Sequence, residues 1–124
     1  MTRPQAFQVF PWLILDETLY VRLTPQNGLR RIRNGEPELQ VIRGGWVVKL
    51  ARAKKVRRLI VLNPDGTIRR VLRVSLAHHA YESSGPEKRP QPRAWFDIRD
   101  DHQAASLIGT RSPVIPGRNP VKYG

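Results

Sequence analysis

Cysteine is absent from the chain. That absence removes disulfides, zinc fingers, zinc ribbons and thiol nucleophiles together, and it is compatible with a reducing compartment. Acidic residues are scarce: ten Asp and Glu stand against 22 Lys and Arg, for a formal charge of +12. Long apolar runs are missing as well. The longest, Val9–Leu15, is broken by Pro11 and falls far short of the ~20 residues that span a bilayer. No small-residue cleavage site follows it and Arg3 alone charges the start, so it does not read as a secretory signal. The expectation is a soluble, intracellular, cytoplasmic protein with no membrane partner. Also lacking are the HxH and HExxH spacings of metal sites, a glycine-rich loop that opens a helix, a helix-turn-helix, an RNP aromatic motif and a GXXG clamp. Neither a cofactor nor sequence-specific readout is therefore expected.

What the chain does have is positive charge in one place. Residues 22–73 hold 14 basic and three acidic side chains, whereas residues 1–21 sum to −1 and residues 74–124 to +2. The excess belongs to the middle of the chain and not to a tail. Seventeen of the 22 basic residues are Arg, whose planar guanidinium grips phosphate through two parallel hydrogen bonds. At 124 residues the chain has room for one modest core and no second one.

The clearest local signal is Val56–Leu76. Asn63-Pro64-Asp65-Gly66 meets each requirement of a type I turn closed by a glycine bulge, so the stretch reads as a β-hairpin with Asn63 facing Thr67. In that register Leu62 opposes Ile68, Ile60 opposes Arg70, Arg58 opposes Leu72 and Val56 opposes Val74. The other face pairs Val61 with Arg69, Leu59 with Val71 and Arg57 with Arg73. Like charges placed opposite one another are unfavourable unless an anion meets them.

The rest of the chain gives a coarse outline. Pro4 and Pro11 keep residues 1–11 irregular. Trp12–Leu15 and Thr18–Leu23 read as short strands, the second with Leu19, Val21 and Leu23 on one side and Tyr20 and Arg22 on the other. Turns at Pro25–Gly28 and Asn34-Gly35 frame a strand over Leu29–Arg33, and Glu38–Ile42 reads as another strand. VRLTPQNGLRRIR at 21–33 echoes IVLNPDGTIRRVLR at 60–73. Gly44-Gly45 marks a tight reversal, and Trp46–Lys55 favours helix over strand by composition. Ser83–Pro92 is a linker, Arg93–Ile98 returns two aromatics to the core, and Asp100 or Asp101 caps a short helix over His102–Ile108 with Gly109 at its end. The expected organisation is a basic β-rich core domain over 1–82, a proline-rich linker over 83–92, an aromatic segment and helix over 93–109, and an extended tail over 110–124. A tail with three prolines and no periodicity is expected to be disordered or to be an arm that orders against a partner.

The resulting expectation is an α+β, β-rich fold: a bent antiparallel sheet of about five strands, open or barrel-like, with one or two short helices. On it, Arg57, Arg69 and Arg73 of the hairpin, Arg30, Arg31 and Arg33 of the echoing strand, and Lys49, Arg52 and Lys55 nearby would form one basic stripe. Such a stripe neutralises phosphates, while rings such as Tyr20 or Trp46 stack on bases. The first expectation for function is non-enzymatic binding of DNA or RNA, within a larger nucleoprotein assembly. A docking protein for an acidic protein surface, such as a virion subunit or a polymerase inhibitor, is the second. The third is a small metal-dependent nuclease using His78, His79 and Asp97 or Asp101, with Glu82, Asp100 and His102 near them. Adjacent histidines in a strand point to opposite faces, which weakens it.

Overall fold

The computed structural model describes residues 9–15, 17–25, 28–48, 50–82, 91–117 and 121–124; of 45, 47, 50, 76, 77 and 79–82 it describes the backbone alone. Among these residues six strands form one curled, mixed sheet: β1 (Thr18–Arg22), β2 (Gly44–Val47), β3 (Arg58–Leu62), β4 (Ile68–Glu82), β5 (Gln91–Asp100) and β6 (Val121–Tyr123), in the spatial order β2-β5-β4-β3-β1-β6. Three short α-helices, α1 (Gly28–Arg33), α2 (Glu38–Ile42) and α3 (Leu50–Ala53), lie between β1 and β3. Two 3-10 turns cover Pro11–Ile14 and His102–Leu107. The strand-rich α+β class follows from the sequence, but β1 and β3 run parallel, and all other pairs are antiparallel.

β3 is the spine. It pairs with β1 on one side and β4 on the other, and both of its faces are covered from Leu59 onward, which is why LIVL reads as an unbroken apolar run. On one face Leu59 and Val61 join Leu19, Val21, Leu72, Phe96, Ile42 and Trp46 under the α-helices. On the other, Ile60 and Leu62 join Tyr20, Ile68, Val71, Leu13, Ala104 and Leu107 under the two 3-10 turns. The alternation of Leu19, Val21 and Leu23 against Tyr20 holds as read from the sequence. Tyr20 is wholly buried and donates its hydroxyl to the Leu13 carbonyl at 2.6 Å; burial pushes its phenol up.

The Asn63–Thr67 turn forms as expected. Gly66 N–H donates to the Asn63 carbonyl at 3.0 Å, Asn63 N–H to the Thr67 carbonyl at 2.9 Å, and Asp65 Oδ1 accepts from both the backbone and the hydroxyl of Thr67. Gly66 sits at φ +87, and a Cβ there would stand 3.0 Å from Ile115 Cδ1. Gly66→Ala therefore imposes left-handed strain on a residue with a side chain and should destabilise the fold by about 1–2 kcal/mol, measured as a lowered midpoint of chemical unfolding.

Beyond the turn the register departs from the sequence reading. Leu62 opposes Ile68, but Val61 opposes Arg70, Ile60 opposes Val71, Leu59 opposes Leu72 and Arg58 opposes Arg73. Arg69 is the extra residue of a bulge. One added residue exchanges the two faces of β4 from that point on, which turns Val71 toward Ile60 and Leu62 and Leu72 toward Leu59 and Val61, the reverse of the expected faces.

Several segments expected as strands are helical. Leu29 and Ile32 recur at the helical spacing and turn inward, and the Asn34-Gly35 pair closes α1 as a Schellman motif: Gly35 N–H donates to the Ile32 carbonyl and Glu36 N–H to that of Arg31. Glu38–Ile42 is α2, buried through Val41 and Ile42. Trp12 lies in a 3-10 turn that starts at Pro11. The echo at 21–33 is thus strand, turn and helix, and no second copy of the hairpin. The reversal expected at Gly44-Gly45 is strand β2, and the segment after it divides into strand through Val47 and helix from Leu50.

The C-terminal part closes onto the sheet. Gln91 and Pro92, expected as linker, open β5, which runs beside β4 from Glu82↔Gln91 to Leu72↔Asp100. Asp101 caps the second 3-10 turn by accepting from Gln103 N–H at 3.2 Å, and Gly109 follows at φ +87. The described residues of the tail lie against the chain's own sheet. Ser112 N–H donates to the Gly66 carbonyl at 3.0 Å, and Val121–Tyr123 adds a strand to the edge of β1. The expectations for residues 1–8, for the turn residues Gln26 and Asn27, for Lys49 and for the linker over 83–90 lie outside the described residues. Among the described residues no helix is long and apolar enough to cross a membrane.

Candidate nucleic-acid interface

The residues expected to form one basic stripe are distributed over several surfaces. Arg30, Arg31 and Arg33 ride on α1, exposed, and Arg31 is paired with Glu36 at 2.8 Å. Arg52, on α3, places its guanidinium 3.8 Å from the centre of the Tyr123 ring. Arg69 is tied to neighbouring elements: Nε donates to Glu38 Oε1 at 2.6 Å and Nη1 to Asn63 Oδ1 at 3.1 Å. Glu38 also receives Arg70, which reaches Asp100 at 3.0 Å. Burial opposes ionisation of Glu38, but the bonds from Arg70 and Arg69 outweigh it and hold the carboxyl below its ordinary range. These two arginines tie α2 to β4 and β5. Tyr20 and Trp46, read as stacking rings, are buried; Trp46 Nε1 donates to the Ile42 carbonyl at 2.7 Å.

A different basic surface does form. The bulge at Arg69 brings Arg73 opposite Arg58, and the β4–β5 register brings Arg99 opposite Arg73, so three arginines stand in one row across three adjacent strands. Arg58 is the innermost. Its side chain is 20% exposed, lies over the Trp12 ring at 4.5 Å, and comes within 3.8 Å of Glu17 and 3.7 Å of Asp101. Asp101, almost wholly buried, sits between Arg58 and Arg73, at 3.4 Å from the latter. It relieves the repulsion within the row, as the sequence expectation of paired arginines requires of some anion. Arg73 is half-exposed and Arg99 exposed.

Three adjoining hollows run along this row. The first, about 410 Å³, lies between Arg73, Arg99, the carboxylates Asp100 and Asp101, and the His102-Gln103 end of the 3-10 turn. The second, about 200 Å³, is framed by Arg57, Arg58, Arg73, Ser75 and Arg99. The third, about 360 Å³, lies between Arg57, Lys54, Lys55 and Glu17. Shared walls at Arg73, Arg99 and Arg57 make them one shallow groove that starts beyond α3 and crosses the start of β3, the middle of β4 and the end of β5. Arg57, Arg99, Lys54 and Lys55 are exposed, and among the described residues none of them makes an ion pair.

Of the nine residues proposed from the sequence, the groove thus gathers Lys55, Arg57 and Arg73. Sequence reasoning missed Lys54, Arg58 and Arg99. The signal for Arg58 and Arg99 is register, which depends on a bulge and on a strand partner 26 residues away. Comparison with protein-family models, with curated proteins and with solved structures finds no match to this chain. The groove's chemistry must be read from its own residues.

The histidine and carboxylate cluster is divided. His78 Nε2 lies 3.1 Å from Asp97 Oδ2, and Asp97 also takes Arg43 at 3.3 Å. Asp101 is the cap and arginine partner already described, His102 is exposed on the 3-10 turn, and the side chain of His79 lies outside the description. Among the described residues no three His, Cys, Asp or Glu side chains are grouped so as to hold a metal ion.

Proposed function

We propose that the chain is a non-enzymatic nucleic-acid-binding protein that holds a phosphate backbone along the groove from Lys54 to Arg99. The observation that carries this reading is the cross-strand row of Arg58, Arg73 and Arg99, continued by exposed Arg57, Lys55 and Lys54. Guanidinium groups at strand spacing on a rigid sheet offer forked donors to successive phosphates without first having to be ordered. Arg58, tied below by Asp101 and Glu17, acts as a positioned floor, and the exposed cations reach the ligand. The charge of +12 draws a polyanion to the molecule from a distance. A cytoplasmic setting and membership of a larger nucleoprotein assembly go with this reading.

Phosphate contacts release counterions, so affinity must fall steeply with salt. Each contact contributes about −0.7 to −0.9 to the slope of log affinity against log salt. Titration of the intact chain with a fluorescent oligonucleotide at several salt concentrations should give a slope steeper than about −2. A flat salt response would remove the reading.

A further inference from the structure

The polar face of the sheet does not end at the arginine row. On β5, Trp95, Asp97 and Arg99 alternate on the side opposite Ala94 and Phe96, which are buried under the α-helices. Trp95 belongs to neither core cluster and is partly exposed. Its indole lies across Gly44 of β2: a Cβ at that position would stand 1.8 Å from Trp95 Cδ1 and 2.4 Å from Cγ. Glycine is what lets the ring rest on the strand backbone. Its direct cross-strand neighbour on β4 is His78, which is exposed. The carboxylate between Trp95 and Arg99, Asp97, is occupied by Arg43 and His78, so it puts little unbalanced negative charge in the path from ring to row. Four residue steps along the strand take Trp95 to Arg99, a distance of about 13 Å.

We infer that the ligand of this groove is single-stranded and that one of its bases stacks on Trp95 while its phosphates follow Arg99 and Arg73. The inference rests on the nucleic-acid reading above and adds the strand state to it. A duplex keeps the faces of its bases stacked inside and offers an indole on a sheet face nothing to stack on. A single strand presents a π-face with every base, and any base serves. A ring backed by β2 is already placed and loses little freedom on contact.

The test uses the intact chain, a short oligothymidylate and a blunt duplex of the same length. Oligothymidylate should quench indole emission of the unaltered chain. In Trp95→Phe, which keeps Trp12 and Trp46, the quenching should vanish while affinity is largely kept. Trp95→Ala should weaken oligothymidylate binding about tenfold with the salt slope unchanged, and leave duplex binding unaltered. Gly44→Ala, which drives a methyl group into the ring, should weaken oligothymidylate binding in the same direction. Circular dichroism of each variant establishes that it is folded, and the Phe variant carries the test if the Ala variant is not. Steep, salt-dependent binding that ignores Trp95 would overturn the stacking and leave the phosphate groove standing. Failure of the unaltered chain to bind either ligand would remove both.

Discussion

Glu38→Gln should cost the fold about 2 kcal/mol, read as a lowered urea midpoint with an unchanged slope. Glu38 is the one carboxylate shared by Arg69 and Arg70, with a side chain only 19% exposed. Glutamine keeps the shape but turns an amino group toward one guanidinium and gives up the charge that both arginines face. Asn63 and Asp100 remain for Arg69 and Arg70 respectively, which keeps the loss below that of a fully buried pair. The same residue sets a pH dependence. Its folded-state pKa lies below the ordinary 4.5, so its contribution is complete above the unfolded value and is lost as pH falls through the folded one. Stability of the unaltered chain should decline on acidification below that range, and the Gln variant should decline less. Equal acid sensitivity in the two proteins would contradict the role given to Glu38.

That network also explains where charge in the sequence misled. Arg69 looks like a free cation on a hairpin because its partner is 31 residues away on a segment, Glu38–Ile42, that reads locally as a strand. The turn at Asn63–Thr67, the alternation of β1 and the Asp101 cap were legible because each depends on a few adjacent residues. Asn34-Gly35 was misread because the same dipeptide serves a hairpin and a Schellman cap, and the deciding contacts, Leu29 and Ile32 against the core, are tertiary. Arg73 was chosen rightly as a residue on an open face but with the wrong neighbour. A single bulge replaced Arg57 by Arg58 opposite it, and no pattern in the hairpin announces that bulge. Arg99 was invisible for a different reason: β5 finds its place beside β4 only after the stretch over 83–90 has been crossed.

The largest effect on binding is expected from Arg57 and Arg99 together. Both are exposed, both line the middle hollow, and among the described residues neither has an ion-pair partner. If each meets one phosphate, loss of both should lower affinity about a hundredfold at 50 mM salt, since each contact is worth roughly a factor of ten there through counterion release. Stability should hardly change, because no internal bond is broken. Arg30 and Arg33 provide the matched control. They are equally exposed and equally without an ion pair among the described residues, but they lie on α1, away from the row.

The most direct measurement compares the salt dependence of oligonucleotide binding for the unaltered chain, the Arg57→Ala/Arg99→Ala protein and the Arg30→Ala/Arg33→Ala protein. Both variants carry the same net charge, so they differ only in where it was removed. A groove that holds phosphate should show a slope about 1.4 to 1.8 shallower for the first pair and a slope close to the original for the second. Equal losses in the two variants would mean that total charge, and not the arginine row across β3, β4 and β5, attracts the ligand.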